Sequence, residues 1–202
     1  VVETARRIAQ LGLSAGSSGN VSVRLANEDE TGLLAITPSG VRPEDLEPDD
    51  VAAVDFDVEP VEPGLTPSSE ALMHAGIYRA RPDVGAVIHT HPVFATVAAV
   101  ADLRIPPIID EMAVVVGGAI EVSEYAFPSS QELADNVCKA LGDRAAALIR
   151  SHGAVGVGRD LTEALDVCVL AERAATIFVC ASLLGNVAGL PADVLEAEKA
   201  IY

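Results

Sequence analysis

Two histidines near the middle of the chain have the spacing of a metal site. His89 and His91 stand two residues apart after Gly85–Ile88, an apolar run that predicts a buried strand. Because side chains alternate across a strand, both imidazoles point to one side and can converge on one ion, while Thr90 faces the other way. Pro92 cannot donate to a sheet ladder, which predicts that the strand ends there.

A third imidazole strengthens this prediction. His152 follows a second apolar run, Ala145–Ile149, in a chain that contains only four histidines. Neutral imidazoles suit Zn²⁺, and a catalytic zinc keeps one position open for water, substrate or a labile carboxylate. The alternative is that these histidines are only hydrogen-bonded at strand ends.

Small polar residues occur in three segments with the chemistry of an anion site. The loop Ser14–Asn20 is rich in glycine and serine, Pro38–Gly40 predicts a tight turn, and Thr66–Glu70 opens a predicted helix. Backbone N–H groups, hydroxyls and a helix N-terminus bind phosphate well. The glycine–serine loop has a second interpretation, as a flexible connector.

The start of that helix, which is predicted to run to about Arg81, also has two interpretations. Ser68 or Ser69 would make an ordinary N-cap and Glu70 an ordinary first-turn acid. Capping and anion binding are compatible at the same residues. His74, four residues after Glu70, could face the site, but a packed or exposed helical histidine is favoured.

The charge balance limits the range of partners. The chain has 30 acidic and 13 basic residues, a net charge of −17, and no cluster of lysine and arginine. Phosphate backbones and anionic membranes would repel it, so we expect no nucleic-acid or membrane partner. A small anionic substrate is still compatible with a local pocket.

Cysteine usage and hydropathy indicate the compartment. The three cysteines form no Cys-x-x-Cys pair and lie in apolar helical contexts, which predicts buried small side chains in a reducing, cytoplasmic setting: Cys138, Cys168 and Cys180. No signal peptide is visible. The apolar region Ala164–Leu184 carries three charged residues, so we expect no membrane span there.

The remaining elements must position these residues. Helices are predicted at Val2–Leu11, Val93–Val100, Ser129–Leu141 (capped by Ser129 with Glu132) and Leu161–Leu184. Strands are predicted at Val21–Leu25, Leu33–Thr37, Val51–Phe56, Ala113–Val116 and Ala154–Gly158, with a hairpin turn at Asn27–Gly32. The 202 residues allow one core. We therefore expect a single α/β domain over residues 1–202, a three-layer α/β/α sandwich with a central, largely antiparallel sheet.

Five short motifs occur in order along nearly the whole chain. They are Gly19-Asn20, Pro38-Ser39-Gly40, Ser68-Ser69-Glu70, His89-Thr90-His91 and His152-Gly153. Each is weak alone, but together they resemble the class II aldolase/adducin family, and most closely its L-fuculose-1-phosphate aldolases and L-ribulose-5-phosphate 4-epimerases.

The resemblance implies roles for the residues of these motifs. It implies zinc, or alternatively manganese, on His89, His91 and His152, with Glu70 as a labile fourth ligand or as the acid/base. It implies a pocket for the substrate phosphate formed by Asn20, Ser39, Gly40, Ser68 and Ser69. It also implies a homotetramer with active sites at subunit borders.

The chemistry of such a reaction agrees with the composition. Cleavage of a carbon–carbon bond beside a ketone needs a stabilised enediolate, through either a lysine Schiff base or a Lewis-acid metal. The two lysines, Lys139 and Lys199, lie in no suggestive setting, which favours zinc. We expect cleavage of a phosphorylated sugar, a fuculose-1-phosphate-like ketose phosphate, to dihydroxyacetone phosphate and an aldehyde, with Glu70 moving the proton. One alternative is a 4-epimerase. The other is a non-catalytic adducin-like module, which would be expected to lack the metal ligands.

One loop departs from the family pattern. It is the loop Ile108–Met112, which contains no tyrosine. The fuculose-phosphate enzymes have a tyrosine in the corresponding loop, and it helps protonate the aldehyde oxygen across the subunit border. Glu111 stands about where the tyrosine is expected, so Glu111, or its neighbour Asp110, is a candidate catalytic residue. The C-terminal tail that closes the site in relatives is short here and ends at Tyr202.

Overall fold

The centre of the molecule is one mixed β-sheet. A computed structural model describes residues 1–26 and 32–201, and within them the sheet has seven strands in the order β3-β2-β1-β4-β7-β6-β5. The strands are β1 (Asn20–Leu25), β2 (Leu33–Ile36), β3 (Ala52–Asp55), β4 (Ala86–Thr90), β5 (Glu121–Val122), β6 (Ala146–Ile149) and β7 (Gly153–Gly158). The predicted turn over 27–31 lies outside the described residues.

The pairing of the strands is largely antiparallel, as predicted. Within the described ranges β5 and β6 form the one parallel pair, and the other neighbours run antiparallel. The middle strand β4 lies between β1 and β7, and all five of its residues are buried. Its register places Asn20 opposite His89 and Ala154 opposite Thr90. The sheet itself therefore brings the glycine–serine loop and the turn before β7 to the end of β4.

Helices cover both faces of the sheet, which confirms the predicted fold class. The helices are α1 (Val2–Gln10), α2 (Ala71–Ala80), α3 (Val93–Val100), α4 (Gln131–Leu141), α5 (Leu161–Leu184) and α6 (Ala192–Ile201), with a short 3₁₀ helix at Pro48–Asp50. Buried residues of α2 and α4 pack on one face, and those of α1, α3 and α5 pack on the other.

The alternation along β4 fixes the side on which each side chain lies. Val87 belongs to the core beneath α2 and α4, whereas Ala86 and Ile88 belong to the core beneath α1 and α5. His89 therefore follows Val87 to the α2 side, and Thr90 follows Ile88 to the α5 side.

Two local predictions were wrong. Met112–Val116 is a π-helix rather than a strand, because the N–H of Gly117 bonds the carbonyl of Met112 at 3.0 Å and the residues pack against α5. β-branched residues favour strands, but this packing overrides their preference. The N-cap of α4 is Ser130, whose Oγ accepts from the N–H of Leu133, while Ser129 precedes the helix at φ +65°.

The start of α2 also differs from the prediction. Glu70 is the N-cap residue, not a first-turn acid, and the Oγ of Ser68 accepts from its N–H at 3.3 Å. The short strand β5 and the C-terminal helix α6 were missed. A two-residue strand gives almost no periodic signal in a sequence.

Helix α5 is long and apolar enough to cross a membrane by length and composition alone, since it has 24 residues with a mean hydropathy of 1.9. In the structure it is the helix that packs along β4 and β7. The Glu172 carboxylate accepts from the N–H groups of Phe94 and Ala95 at the start of α3, and Arg173 pairs with Glu111. Helix α5 thus makes both packing and hydrogen-bond contacts within the fold.

Candidate active site

Three histidines and one glutamate meet at the end of the central strand. His89 lies in β4, and His91 directly follows that strand. His152 comes from the turn between β6 and β7, and Glu70 is the N-cap of α2. Their ligand atoms all lie within 4.8 Å of one another. The residues that the prediction assigned to a metal are thus brought together from three separate parts of the fold.

The distances within this cluster are short. The Nε2 atoms of His89 and His91 are 2.8 Å apart, and Glu70 Oε2 lies 3.1 Å from His89 Nε2. Glu70 Oε1 lies 3.5 Å from His152 Nε2. All four side chains therefore present donor atoms to one small volume.

The turn that carries His152 is shaped by its neighbours. Ser151 has φ +56°, a left-handed conformation that few residues other than glycine adopt. A Cβ on Gly153 would lie 2.3 Å from the carbonyl oxygen of Thr90 and 3.4 Å from Cε1 of His89. Only glycine lets β7 begin this close to β4, so the Gly that follows His152 keeps the turn against the other histidines.

The hydrogen bonding of His89 leaves the correct nitrogen free for a metal. Its Nδ1–H donates to the carbonyl of Ala154 at 2.9 Å, so Nε2 of the neutral ring carries the lone pair. A bond from the second ring nitrogen to a carbonyl is the usual way in which proteins orient a metal-binding histidine.

The cluster fits a divalent cation. Glu70 Oε1 is buried and has no hydrogen-bond partner within the described parts of the chain. An orphaned carboxylate oxygen is costly unless a cation satisfies it. Three imidazole nitrogens and one carboxylate are a donor set that Zn²⁺ accepts, and the same set accepts Mn²⁺.

The protonation states suit ligands. Burial lowers the pKa of His91 to about 4 and also lowers that of His152, so both rings are neutral near pH 7. Burial opposes ionisation of Glu70, but the imidazoles of His89 and His152 and the amide of Asn20 outweigh it and hold the pKa of Glu70 well below its usual range. Glu70 is therefore an anion, as a cation site requires.

A polar cavity of about 200 Å³ adjoins the cluster. All five residues predicted to hold a phosphate line it, together with Glu70, His91 and His152: Asn20, Ser39, Gly40, Ser68 and Ser69. The cavity thus places the predicted anion site directly beside the predicted metal site.

Other residues that line this cavity were not predicted individually. Ser17 and Ser18 lie in the glycine–serine loop, which the prediction singled out as a ligand loop or a connector. Pro128 and Ser129 come from the segment before α4, and nothing in their sequence indicates a site. The positive φ of Ser129 is visible only in the structure.

Two glycines shape the mouth of the cavity. A Cβ on Gly19 would lie 2.5 Å from Ser14 Oγ and 2.8 Å from the carbonyl of His89, so the loop reaches β4 only because this residue is glycine. Gly40 has φ +77° in the turn after β2, the left-handed conformation that the predicted tight turn requires.

Asn20 joins the cavity to the cluster. Its Nδ2 donates to Glu70 Oε2 at 3.0 Å, and its Oδ1 contacts Nε2 of His74. His74 is fully buried, as the favoured interpretation predicted. Sequence reasoning did not find its bond to Asn20, because a helix and a distant strand give no joint signal.

Glu111 is not brought to this site within one chain. Its carboxylate is half-exposed and pairs with Arg173 at 3.0 Å. It does not line the polar cavity, among the residues that the structure describes. The role of Glu111, and of Asp110 as its substitute, in a site completed by a second subunit stays a prediction.

Known proteins are similar to this chain in sequence. The Class II Aldolase and Adducin N-terminal domain family matches residues 1–179. A 5-methylthioribulose-1-phosphate/5-deoxyribulose-1-phosphate aldolase of Rhodospirillum rubrum is 37% identical over 97% of this chain and 86% of its own. An L-fuculose phosphate aldolase of Escherichia coli K12 is 35% identical over 85% of this chain and 79% of its own.

A solved structure has the same fold over nearly the whole length of this chain. An L-fuculose 1-phosphate aldolase superposes with a TM-score of 0.92 at 32% identity, covering 99% of this chain and 92% of the other. The fold and the cluster define a metal-dependent lyase that acts on sugar phosphates. The chain belongs to the class II aldolase and adducin family, whose aldolases use a divalent metal.

Proposed function

We propose that this protein cleaves a fuculose-1-phosphate-like ketose 1-phosphate to dihydroxyacetone phosphate and an aldehyde, with zinc as its metal and manganese as the alternative. The observation that carries the proposal is the position of Glu70. One carboxylate lies in the histidine cluster and in the wall of the polar cavity at once. A substrate phosphate in that cavity would place the neighbouring carbon atoms beside the cluster.

Each side chain has a task in this reaction. Ser39, Ser68 and Ser69 would donate to the phosphate, supported by the N-terminal end of α2. Zinc, when bound, supplies a Lewis acid for the negative charge that develops on the ketone oxygen as the bond breaks. Glu70, the anion beside this cluster, would take up the proton that the sugar hydroxyl loses as it becomes the aldehyde, and would return that proton to the carbon that has lost the aldehyde.

The surroundings favour an aldehyde with an apolar end. His91 and His152 also adjoin an open surface that is formed by residues of α3, among them the exposed Val93, Val97 and Val100. The sugars named for the two relatives above are deoxy or methylthio compounds, which end in an apolar group. Such a group would bury apolar area here, whereas a terminal hydroxyl would gain nothing.

A 4-epimerase is the alternative on the same cluster, because it breaks the same kind of bond and closes it on the other face. We place the enzyme in the cytoplasm as a homotetramer with sites at subunit borders. The proposal for the tetramer is supported by the incomplete surroundings of the site, whose apolar side on α3 is open in a single chain.

A panel of substrates tests the function. Zinc-loaded protein is incubated with L-fuculose 1-phosphate, 5-deoxyribulose 1-phosphate, 5-methylthioribulose 1-phosphate and ribulose 1-phosphate, and dihydroxyacetone phosphate is measured with a coupled dehydrogenase. We expect release from the compounds with apolar ends and roughly tenfold lower kcat/KM for ribulose 1-phosphate, because discrimination of one group in an apolar pocket starts at about 1 kcal/mol. No release from any of them, together with epimerisation of L-ribulose 5-phosphate, would replace the aldolase by the epimerase.

A further inference from the structure

A chain of buried hydrogen bonds leads from the core to the carboxylate of Glu70. Ser22 Oγ lies 2.8 Å from the Tyr78 hydroxyl and 2.7 Å from His74 Nδ1. His74 Nε2 contacts Asn20 Oδ1, and Asn20 Nδ2 lies 3.0 Å from Glu70 Oε2. Ser22 and His74 are fully buried, and Tyr78 and Asn20 are 1% and 6% exposed. The proposed reaction assigns no role to Ser22, His74 or Tyr78.

The donor and acceptor at each step are determined by the chemistry of the groups. The ionised Glu70 carboxylate only accepts, so the Asn20 amide nitrogen must face it. Asn20 Oδ1 then faces His74 and only accepts, so His74 must carry its proton on Nε2. Burial lowers the pKa of His74 to about 3, which keeps the ring neutral and makes Nδ1 an acceptor.

The far end of this series of hydrogen bonds is compatible with the same tautomer. With His74 Nδ1 as acceptor, the Ser22 hydroxyl donates to it and accepts from the Tyr78 hydroxyl. Burial raises the pKa of Tyr78, so its hydroxyl stays protonated. Every member then has one consistent orientation, which is the condition under which a buried polar network stabilises a single arrangement.

This series of hydrogen bonds orients groups and does not conduct protons. It ends at Tyr78, which is buried, and the guanidinium of Arg24 lies 4.9 Å from the centre of the Tyr78 ring. A proton that reached this end would meet a buried hydroxyl beside a positive charge. The effect of the hydrogen-bond series must therefore lie at its other end, beside Glu70.

We propose that His74 is a positioning residue for Glu70, acting through Asn20. An asparagine amide has two ends of nearly equal shape, and the reversed orientation would set an oxygen against the Glu70 carboxylate. The N–H of His74 excludes that orientation, because it needs an acceptor. Glu70 Oε2 is then held by Asn20, and Glu70 Oε1 stays directed at the histidine cluster.

This role rests on the proposed function, and its test uses dihydroxyacetone phosphate as the probe. Exchange of the carbon-bound hydrogen of that compound is followed by NMR in heavy water with zinc-loaded protein. His74→Asn keeps an acceptor for Ser22 but loses the donor to Asn20, and we expect exchange to slow about 10- to 100-fold, the usual cost of losing a partner of a ligand. His74→Gln can keep the donor, and its exchange should stay within about threefold of wild type.

A control on the same helix separates positioning from simple destabilisation. Ile77 is fully buried in the core beneath α2, and Ile77→Val should lower thermal stability while leaving exchange unchanged. Equal losses in His74→Asn and His74→Gln, or wild-type exchange in a folded His74→Asn protein, would overturn the proposal.

A double-mutant cycle tests whether His74 acts through Asn20. If it does, His74→Asn should cost no more than about twofold when added to Asn20→Ala, whereas independent effects would multiply. If His74→Asn does not fold, Ser22→Ala is the second variant, because it removes the donor that fixes the tautomer. Folded Ser22→Ala with unchanged exchange and unchanged zinc affinity would overturn the proposal.

Metal binding provides a readout that does not depend on turnover. We expect His74→Asn to bind zinc about tenfold more weakly in a chelator competition and to shift the visible spectrum of the Co²⁺-substituted protein, because the carboxylate has moved. If wild-type protein fails to exchange dihydroxyacetone phosphate, the proposed function fails, and zinc affinity and the Co²⁺ spectrum still decide the role of His74. Unchanged affinity and spectrum in folded His74→Asn would exclude that role.

Discussion

Replacing Glu70 with glutamine separates the three roles that its position permits. Glu70 is 7% exposed, it is the N-cap of α2, and both of its oxygens lie beside imidazole nitrogens. Glutamine has the same shape and keeps an oxygen to accept from Asn20 Nδ2. The variant therefore removes the negative charge and the site for a proton while it preserves the packing.

The expected losses differ strongly among the three roles. If Glu70 only stabilises the helix terminus, the cost is about 0.3–1 kcal/mol of unfolding free energy with normal chemistry. If it is an essential ligand, zinc is lost together with activity. If it carries the proton, kcat falls about 10²–10⁴-fold, or about 2.7–5.4 kcal/mol of barrier, while three imidazoles retain most of the zinc.

We predict the third result. Zinc per chain is measured by elemental analysis, and proton exchange at the carbon of dihydroxyacetone phosphate is followed by NMR in heavy water. This exchange isolates the step that Glu70 performs from binding of the aldehyde. Wild-type exchange in zinc-loaded Glu70→Gln would remove Glu70 from the mechanism and direct attention to Glu111 and Asp110.

Three further perturbations test other parts of the site. His152→Ala should lose zinc affinity strongly on chelator titration, because two imidazoles and a carboxylate remain, and zinc retained at full stoichiometry would contradict the ligand set. Ser69→Ala should lower kcat/KM roughly ten- to hundredfold for a phosphorylated ketose but not for its unphosphorylated analogue, and equal losses for both would mean that the serine only supports the helix start. Acid should destabilise the metal-free protein through His74, because burial lowers its pKa from the ordinary 6.5 to about 3. Between these pH values the unfolded chain binds a proton that the folded protein does not bind, so the free energy of unfolding falls by up to about 1.4 kcal/mol per pH unit as the pH falls from 6.5 towards 3. Urea titrations of His74→Gln should lack this part of the pH dependence.

The alternation of side chains along a strand and the small number of histidines made the metal cluster predictable from the sequence. The His-x-His spacing on a buried strand fixes two ligands on one side, and His152 is one of only two other histidines in the chain. The fold class followed from the order of apolar runs in the same way. Both depend on periodicities that short stretches of sequence display directly.

Contacts between distant elements could not be predicted in the same way. The bonds of Asn20 to Glu70 and His74 join residues 50 and 54 positions apart, and only the packing of α2 on β1 and β4 creates them. The π-helix at Met112–Val116 is a similar case, because its burial against α5 overrides the strand preference of its valines. The pairing of Glu111 with Arg173 likewise depends on the position of α5.

Metal dependence of dihydroxyacetone phosphate release is the most direct test of the whole account. Purified protein is stripped with a chelator, assayed with L-fuculose 1-phosphate and 5-deoxyribulose 1-phosphate, reconstituted with zinc or manganese, and assayed again, with metal per chain determined at each stage. We predict loss of release on stripping and recovery at about one metal ion per chain, the number that the cluster of Glu70 with three histidines would hold. Full turnover by the metal-free protein would contradict it.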